Sequence, residues 1–250
     1  MDGVTITAKD LSIRYADLIA LNIQSLEVKG GVIALLGHNG AGKSTLIKSL
    51  LGLLSPHRGE ISVLGNGGIP LRPEHNMAFC PENGAVFADI SVERYLQLWC
   101  RIKHNDGHFY KKAGSRYVER LSIAELLSKK GRALSKGQRR RVQTALGFMS
   151  DPTLFLFDEP FDGLDVQRTN DLMEIVEEER AHRSFLISSH RMDVMERLSD
   201  ACLVLEGGRL LFAGDVAATR IKLAGVGVDN LTDAMRIHLQ QLRESTQTRL

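Results

Sequence analysis

The feature that most restricts the fold of this chain is a nine-residue motif at positions 37–45. It reads Gly37, His38, Asn39, Gly40, Ala41, Gly42, Lys43, Ser44, Thr45, which fits the pattern Gly-x-x-x-x-Gly-Lys-[Ser/Thr] of phosphate-binding loops. That motif needs a strand before it and a helix after it, and the apolar run 32–36 and the helical pattern 46–51 meet this need. We therefore predict a strand–loop–helix unit that binds a nucleoside triphosphate.

The residue types in the motif match what phosphate binding requires. Glycine lets the backbone wrap closely around an anion, and the N-terminus of the following helix adds its positive dipole end. We expect Lys43 to face the outer phosphates and the Ser44 hydroxyl to hold Mg²⁺. The alternative is a glycine-rich turn that merely contains Lys-Ser, and the flanking strand and helix disfavour it.

Composition limits the class of protein without choosing a function. The 250 residues suffice for one large or two small domains, and 43% hydrophobic with 25% charged residues is typical of a globular protein. The net charge of +2 gives no argument for a polyanion partner. Cys80, Cys100 and Cys202 lack the spacing of a metal site or a disulfide framework. Since we find neither an apolar run of about 18 residues nor a signal peptide, we expect a soluble, cytosolic chain.

Strand and helix patterns alternate along the chain, which predicts an α/β fold: a P-loop NTPase core with a mainly parallel sheet. Short strands at 4–8, 11–15 and 21–28 predict a small antiparallel sheet before the loop. Later strands are predicted at 60–64, 77–80, 154–157, 185–188, 202–205 and 210–212, and helices at 136–149, 166–181 and 192–198.

Residues 82–134 differ from this alternation and read as a helical insertion. Apolar residues fall at helical spacing from residue 92, and helices are predicted at 109–121 and 123–129. We place one domain at residues 1–215 and a short helical tail at residues 216–250.

Two carboxylates, Asp158 and Glu159, follow the apolar run 154–157. The carboxyl ends of parallel strands share one edge of a sheet, where a phosphate loop also lies. Asp158 is therefore a candidate for the Mg²⁺ shell, through water, and Glu159 a candidate for polarising the attacking water. A strand that simply ends in acidic residues is the alternative.

Residues 134–138 open a predicted helix that Ser135 can cap. They read Leu-Ser-Lys-Gly-Gln and resemble Leu-Ser-Gly-Gly-Gln, the signature of ATP-binding-cassette (ABC) ATPases, from which they differ only at Lys136. Together with the phosphate loop and the Asp-Glu pair, the resemblance extends over residues 4–214. Taken alone, the pentapeptide could be an ordinary capped helix start.

The resemblance implies a head-to-tail dimer that closes two ATP molecules between its copies. Each ATP would meet the phosphate loop of one copy and three residues of the other, Ser135, Gly137 and Gln138. In this family an aromatic residue stacks on adenine, here Tyr15, and a histidine assists catalysis, here His190. The family's Gly-Leu-Asp segment ends here in Asp165, which can also cap the helix at 166–181.

Besides Lys136, a second position departs from the family pattern. Glu82 stands where the family usually has a glutamine that reaches the metal, so we expect Glu82 at the Mg²⁺ ion. Glutamate there, Lys136 and residues 231–235 resemble the subset of cassettes that pair with ABC-2-type exporters. The resemblance thus implies ATP-driven export through a separate membrane-spanning permease, with this chain held at the cytoplasmic face of the membrane. An importer ATPase is the alternative direction.

Two other readings compete with a transporter subunit. A soluble cassette ATPase acting on nucleic acid or the ribosome usually has two cassettes or a long insertion, and a P-loop kinase would lack the signature and Glu159. Arginines 139–141 spread around a helix instead of forming a stripe, so we interpret them as solvated or structural and expect no nucleic acid partner. His104 and His108 lack a nearby third ligand, which disfavours a metal site.

Overall fold

The computed structural model describes residues 3–106 and 108–247. These residues form two compact units, one of residues 71–187 and one of residues 3–70 together with residues 188–247. We call them the inserted unit and the phosphate-loop unit and describe each by itself.

The structure assigns strands and helices along both units. The strands are β1 (Val4–Tyr15), β2 (Leu18–Gly30), β3 (Val32–Leu36), β4 (Arg58–Leu64), β5 (Met77–Cys80), β6 (Leu154–Asp158), β7 (Ser184–Ser188), β8 (Ala201–Glu206) and β9 (Arg209–Asp215). The helices are α1 (Lys43–Leu50), α2 (Pro73–Asn76), α3 (Val92–His104), α4 (Ser115–Arg120), α5 (Lys136–Met149), α6 (Val166–Glu179), α7 (Met192–Leu198), α8 (Val216–Ala224) and α9 (Leu231–Gln247). No described helix combines the length and the apolar character that a membrane crossing needs.

The phosphate-loop unit begins with an antiparallel sheet of strand order β2-β1-β4. This confirms the predicted small sheet, but the strands predicted at 4–8 and 11–15 are one continuous strand. Asp10 lies between them at φ 48°, a left-handed conformation that short polar residues tolerate, and β1 pairs with β2 on both sides of it. The prediction of two separate strands is therefore wrong, because the kink at Asp10 does not end β1.

Strand β3 is buried along its whole length and pairs in parallel with β8. Strand β8 pairs antiparallel with β9 in a hairpin whose turn contains Gly207 and Gly208, both at positive φ. Asp215 caps helix α8, because its carboxylate accepts a hydrogen bond from the Ala218 N–H at 2.7 Å. Helix α9, which we expected in the tail, packs on α8 and α7.

The inserted unit holds strands in the order β5-β6-β7, with β5 and β6 parallel. Cys80 lies opposite Phe157 near the carboxyl ends of these strands. Glu82 follows the end of β5 by two residues, and Glu159 follows the end of β6 by one. The core of this unit is a cluster of buried aromatic rings from α5, β6 and β7, namely Phe148, Phe155, Phe157 and Phe185.

One predicted helix of the insertion is wrong. Residues 123–129 form only a 3₁₀ turn, Ala124–Leu126. The Leu127 and Lys129 carbonyls accept hydrogen bonds from the Glu93 and Val92 N–H groups at the start of α3, at 3.0 Å each. These carbonyls therefore accept from the N–H groups at the start of α3 and not from a helix of their own. The helix predicted at 109–121 is a π turn, Tyr110–Gly114, followed by the short α4.

Candidate functional site

The phosphate loop connects β3 to α1, as predicted. Gly37, Gly40 and Gly42 adopt φ values of 153°, 83° and 104°. A Cβ on Gly37 would lie 2.5 Å from the Leu205 carbonyl oxygen, and one on Gly42 would lie 2.6 Å from the Leu21 side chain. The backbone of the loop is thus pressed against β8 and β2 where only glycine fits. A Cβ on Gly40 would meet nothing within 4 Å, so there the backbone faces open space.

The Lys43 side chain turns back into the loop. Its Nζ donates a hydrogen bond to the Gly37 carbonyl at 2.8 Å and approaches the His38 carbonyl at 3.4 Å, and the residue is only 8% exposed. The His38 ring Nδ1 lies 2.7 Å from the Asn39 carbonyl, which closes the loop further. A positive charge therefore lies inside the ring of loop backbone, next to the N-terminus of α1, where an anion is favoured.

The remaining residues of the motif lie around the helix start. Ala41 is buried, and its carbonyl accepts a hydrogen bond from the Gly208 N–H at 3.1 Å. Ser44 and Thr45 are the second and third residues of α1 and are half-buried. The Ser44 hydroxyl is a hard oxygen ligand of the kind that Mg²⁺ prefers.

Tyr15 ends β1 at the tip of the β1–β2 hairpin. It is 42% exposed, and Leu18 and Ile19 beside it are 69% and 46% exposed, so the tip presents an apolar surface. Two residues beyond Ile19, Leu21 lies against the Gly42 position of the phosphate loop. At 3.3 Å per strand residue, the tip lies about 10 Å from the loop, measured along β2. This placement agrees with the predicted contact to a base, a role that stays a prediction.

His190 lies exposed just before α7. It shares a cavity of about 360 Å³ with Gly37 and His38 of the phosphate loop. The other lining residues are Met192 and, from α9, Thr232, Met235, Arg236, Leu239 and Gln240. The structure thus brings the predicted catalytic histidine to the same space as the start of the phosphate loop, and it adds the tail helix, which we had not connected with the site.

In the inserted unit, Asp158 is the last residue of β6 and is 7% exposed. Glu159 follows it, half-buried, at φ 50°. A left-handed conformation is uncommon for a residue other than glycine and concentrates at functional sites. The two carboxylates therefore differ in environment: one is fixed in the strand end and the other sits on a sharp turn.

The signature segment forms a complete capping box. The Ser135 hydroxyl accepts from the Gln138 N–H at 3.2 Å, while the Gln138 side-chain oxygen accepts from the Ser135 N–H at 3.0 Å. Lys136 forms an exposed ion pair with Asp162 at 3.3 Å. A Cβ on Gly137 would meet only the Gly163 carbonyl, at 3.9 Å, so this face of the helix start is not crowded. The N-terminus of a helix is a favourable place for an anion.

Asp165 caps α6 as predicted, since its carboxylate accepts from the Arg168 N–H at 2.8 Å. Glu82 is exposed, in the loop after β5. Its backbone carbonyl accepts a hydrogen bond from the Arg140 guanidinium at 2.6 Å, which holds the backbone at this position.

Arg140 is the residue that our sequence reasoning missed. We grouped it with its neighbours as solvated or structural, and the structural reading holds for Arg140, which is 3% exposed, and for Arg141, whose guanidinium bonds to the Leu121 and Ser122 carbonyls. A signal was present: Arg140, Thr144 and Gly147 recur at i, i+4 and i+7, the spacing of one helix face, and all three are buried.

Each unit carries groups of the kind that bind ATP or Mg²⁺. The loop offers a backbone ring with an enclosed lysine, and Ser44 and Asp158 are oxygen ligands suited to a hard cation. Among the described residues, no three His, Cys, Asp or Glu side chains cluster as a metal site. Burial raises the pKa of the Cys80, Cys100 and Cys202 thiols to about 11, so they are protonated at neutral pH.

Comparison with known proteins places this geometry in a family. A family model described as ABC transporter matches residues 21–162. The molybdenum import ATP-binding protein ModC of Brucella melitensis is 34% identical over 76% of this chain and 54% of its own length. The ABC transporter ATP-binding protein NatA of Bacillus subtilis is 29% identical over 84% of this chain and 89% of its own length.

A solved structure described as the ATP-binding subunit of an ABC transporter superposes with a TM-score of 0.83 at 28% identity. The match covers 94% of this chain and 99% of that one, which confirms the predicted fold class. Two longer curated relatives are matched over only 11% and 14% of their own length, so this chain corresponds to a part of those proteins.

Proposed function

This chain belongs to the ABC transporter family, and we propose that it hydrolyses ATP to power transport through a separate membrane-spanning subunit. The observation that carries the proposal is the phosphate loop, in which Lys43 lies enclosed by the Gly37 and His38 carbonyls at the N-terminus of α1. The capping box at Ser135 supports an ABC-type site over that of a P-loop kinase.

Binding of ATP follows from the phosphate-loop unit. The loop N–H groups and the Lys43 ammonium take the phosphates, and Tyr15 stacks on the adenine ring. Ser44 and Asp158 hold Mg²⁺, which when bound neutralises charge on the phosphates. Glu82 is the further metal ligand that we propose for this chain.

Hydrolysis is assigned to the carboxylate on the turn. Glu159 accepts a proton from the attacking water, because it follows the metal-binding Asp158 by one residue and its φ of 50° turns it away from the strand direction. His190, in the cavity beside Gly37, contacts the outermost phosphate.

A second copy of the chain completes each site. Ser135, Gly137 and Gln138 of one copy meet the outer phosphate held by the loop of the other, and Asp165 lies at the same junction. The open face of the α5 start supports this arrangement, because an uncrowded helix N-terminus is an anion site. ATP binding then closes the dimer and hydrolysis opens it, which drives a two-state change in the membrane subunit.

The direction of transport that we propose is export, with the chain bound peripherally at the cytoplasmic face of the membrane through its partner. Glu82, Lys136 and residues 231–235 support this through their likeness to ABC-2-type cassettes. Import is the second candidate, favoured by the likeness to ModC, whose name describes an import protein. Purification from native membranes, with identification of the copurifying membrane protein, separates the two directions.

The catalytic proposal is tested by Glu159→Gln, an almost isosteric change that removes the proton acceptor. We expect ATP affinity to persist while turnover falls by ~10²–10⁴-fold, the usual loss for a general base. Gel filtration with ATP should show an accumulated dimer. Glu119→Gln, at an exposed position of α4, is the matched control and should behave as wild type. A Glu159→Gln protein with more than a few per cent of wild-type turnover would contradict the role.

A further inference from the structure

Arg140 is a buried cation whose guanidinium contacts two loops of the inserted unit. Its Nη2 donates to the Glu82 carbonyl at 2.6 Å, and its Nη1 donates to the Glu159 carbonyl and approaches the Asp162 carbonyl at 3.4 Å. Only 3% of the residue is exposed. One side chain on α5 therefore fixes the backbone after β5 and the backbone after β6.

The contact with Glu159 lies at a residue whose backbone has an unfavourable conformation. Glu159 has φ 50°, and its carbonyl also accepts from the Asp162 N–H at 3.2 Å within its own turn. A left-handed L-residue persists only where the surrounding structure over-determines it. The guanidinium supplies a second donor from a different element, so the orientation of the Glu159 peptide depends on α5 as well as on the local turn.

The side chain of arginine suits this position, whereas those of lysine and glutamine do not. The guanidinium is a planar fork with two terminal nitrogens, which can reach acceptors on two loops at once. A lysine ammonium is a single point, and a glutamine carries only one NH₂ group. Because all three acceptors are backbone carbonyls, the contact fixes the path of both loops whatever their side chains.

Other contacts from α5 hold the same loops on their outer sides. Gln143 donates to the Ala85 carbonyl at 3.2 Å, and Lys136 pairs with Asp162 at 3.3 Å. Each of these side chains reaches one loop only. Within this set, Arg140 is the side chain that joins the two.

We propose that Arg140 is a positioning residue that holds the Glu82 loop and the Glu159 turn in a fixed relation to each other and to the helix that begins at Ser135. The inference rests on the proposed function, in which Glu82 and Glu159 act on the metal and the attacking water. A displacement of the start of α5 is then passed to both carboxylates together through one side chain.

The test uses Arg140→Lys and Arg140→Gln in the full chain, with Arg139→Lys and Arg139→Gln as matched controls one position earlier on the same helix. Hydrogen exchange of backbone amides is followed at residues 81–86 and 159–165. We expect exchange in both segments to be roughly ten-fold faster in the Arg140 variants, because a charge-assisted hydrogen bond is lost from each loop. The Arg139 variants should match wild type.

Kinetics provide the second readout. We expect kcat of Arg140→Lys to fall roughly 10- to 100-fold, because small misplacements of catalytic groups cost that much. The affinity for a non-hydrolysable ATP analogue should stay within about two-fold of wild type, because the phosphate loop lies on other elements. A variant that only loses general stability would lower kcat and affinity together.

The outcomes separate this inference from the proposed function. If wild type hydrolyses ATP while Arg140→Lys shows wild-type exchange and kcat, the positioning role is wrong. It is also wrong if only one of the two loops exchanges faster, or if both Arg140 variants fail to fold, which would make Arg140 a general stabilising residue. If wild type hydrolyses no ATP but both loops still loosen in Arg140→Lys, the link stands and the proposed function fails.

Discussion

Tyr15 offers a direct check of the nucleotide-binding surface at the scale of one residue. Its exposed ring, beside the exposed Leu18 and Ile19, gives a flat apolar face for a base. An aromatic stack contributes ~0.5–1.5 kcal/mol, or roughly two- to twelve-fold in affinity. We therefore expect Tyr15→Ala to weaken ATP binding by that factor in a titration with a fluorescent analogue. Tyr15→Phe is the matched control and should bind normally, and equal binding by Tyr15→Ala would show that the ring is not used.

Glu82, like Lys136, stands where this chain differs from the family pattern, and its charge should affect the Mg²⁺ dependence. A carboxylate attracts Mg²⁺ more strongly than a carboxamide does. It also repels the outer phosphate, by about 4 kcal/mol per unit-charge pair at 4 Å and an effective dielectric of ~20. With the cation between them, attraction should prevail. Glu82→Gln should therefore keep ATPase activity but need more free Mg²⁺ for the half-maximal rate.

The control for this measurement is Glu74→Gln, which changes the net charge equally at an exposed position of α2. Its Mg²⁺ curve should coincide with that of wild type. If the Glu82→Gln curve coincides as well, Glu82 is no metal ligand. The exposed Glu82 side chain would then be a candidate contact to the membrane partner.

Single residues were predictable where a short pattern carries the physics. Ser135 and Asp165 cap the predicted helices that follow them, because the hydroxyl or carboxylate accepts a hydrogen bond from the N–H three residues later. Arg140 was not predictable in its role. Its acceptors, the carbonyls of Glu82 and Glu159, lie 58 and 19 residues away, and nothing in the local sequence specifies carbonyl directions.

At the scale of elements, helix α5 packs against the aromatic core at a glycine, Gly147. A Cβ on Gly147 would stand 2.0 Å from the Phe155 ring, so this position sets how closely α5 approaches β6. Gly147→Ala gains about 0.5–1 kcal/mol of helix preference but overpacks the core, at a cost of typically 1–3 kcal/mol. We expect a net loss in the free energy of unfolding, measured by urea titration.

Gly137→Ala is the matched control on the same helix, because its added Cβ would meet only ordinary contact at 3.9 Å. It should leave the free energy of unfolding unchanged or slightly raised. A Gly147→Ala protein as stable as wild type would mean that Phe155 moves aside without cost, and that α5 is less tightly fixed than the aromatic cluster suggests.

Helices and strands were predicted well where local sequence patterns determine them, and poorly where contacts with distant segments determine them. The strand Met77–Cys80 and the helices Lys136–Met149 and Met192–Leu198 agree with prediction at both ends. Residues 123–129 failed because carbonyls there bond to the start of α3, a contact between segments that the apolar spacing does not contain. Helix α8 lies within the predicted helical tail and begins directly after its cap, Asp215.

At the scale of the whole molecule, the phosphate-loop unit is assembled from both ends of the described chain. Its tail helix α9 reaches the cavity that holds Gly37 and His190, although no motif linked the tail to the loop. The domain boundary that we predicted at residue 215 stays a prediction. Local sequence patterns do not show which late segments pack against early ones. That packing is decided by the burial of apolar faces in the folded chain.

The proposed composite site, built by two copies, can be tested by complementation of two inactive variants. Lys43→Ala removes the charge inside the phosphate loop and leaves the signature intact. Gly137→Asp leaves the loop intact, and the uncrowded Cβ position should let it fold, but it places a carboxylate where the partner's phosphate would bind. Each variant alone should therefore form only defective sites.

Mixing the two variants should restore activity, because a mixed dimer pairs the intact loop of one copy with the intact signature of the other. Random pairing makes half of the dimers mixed, each with one intact site of two, so the mixture should reach about a quarter of the wild-type rate. The control is a mixture of Lys43→Ala with the double variant that carries both Lys43→Ala and Gly137→Asp. It should stay inactive, since no intact loop is present. If the first mixture is no more active than its components, each chain hydrolyses ATP with its own residues and the head-to-tail arrangement is wrong.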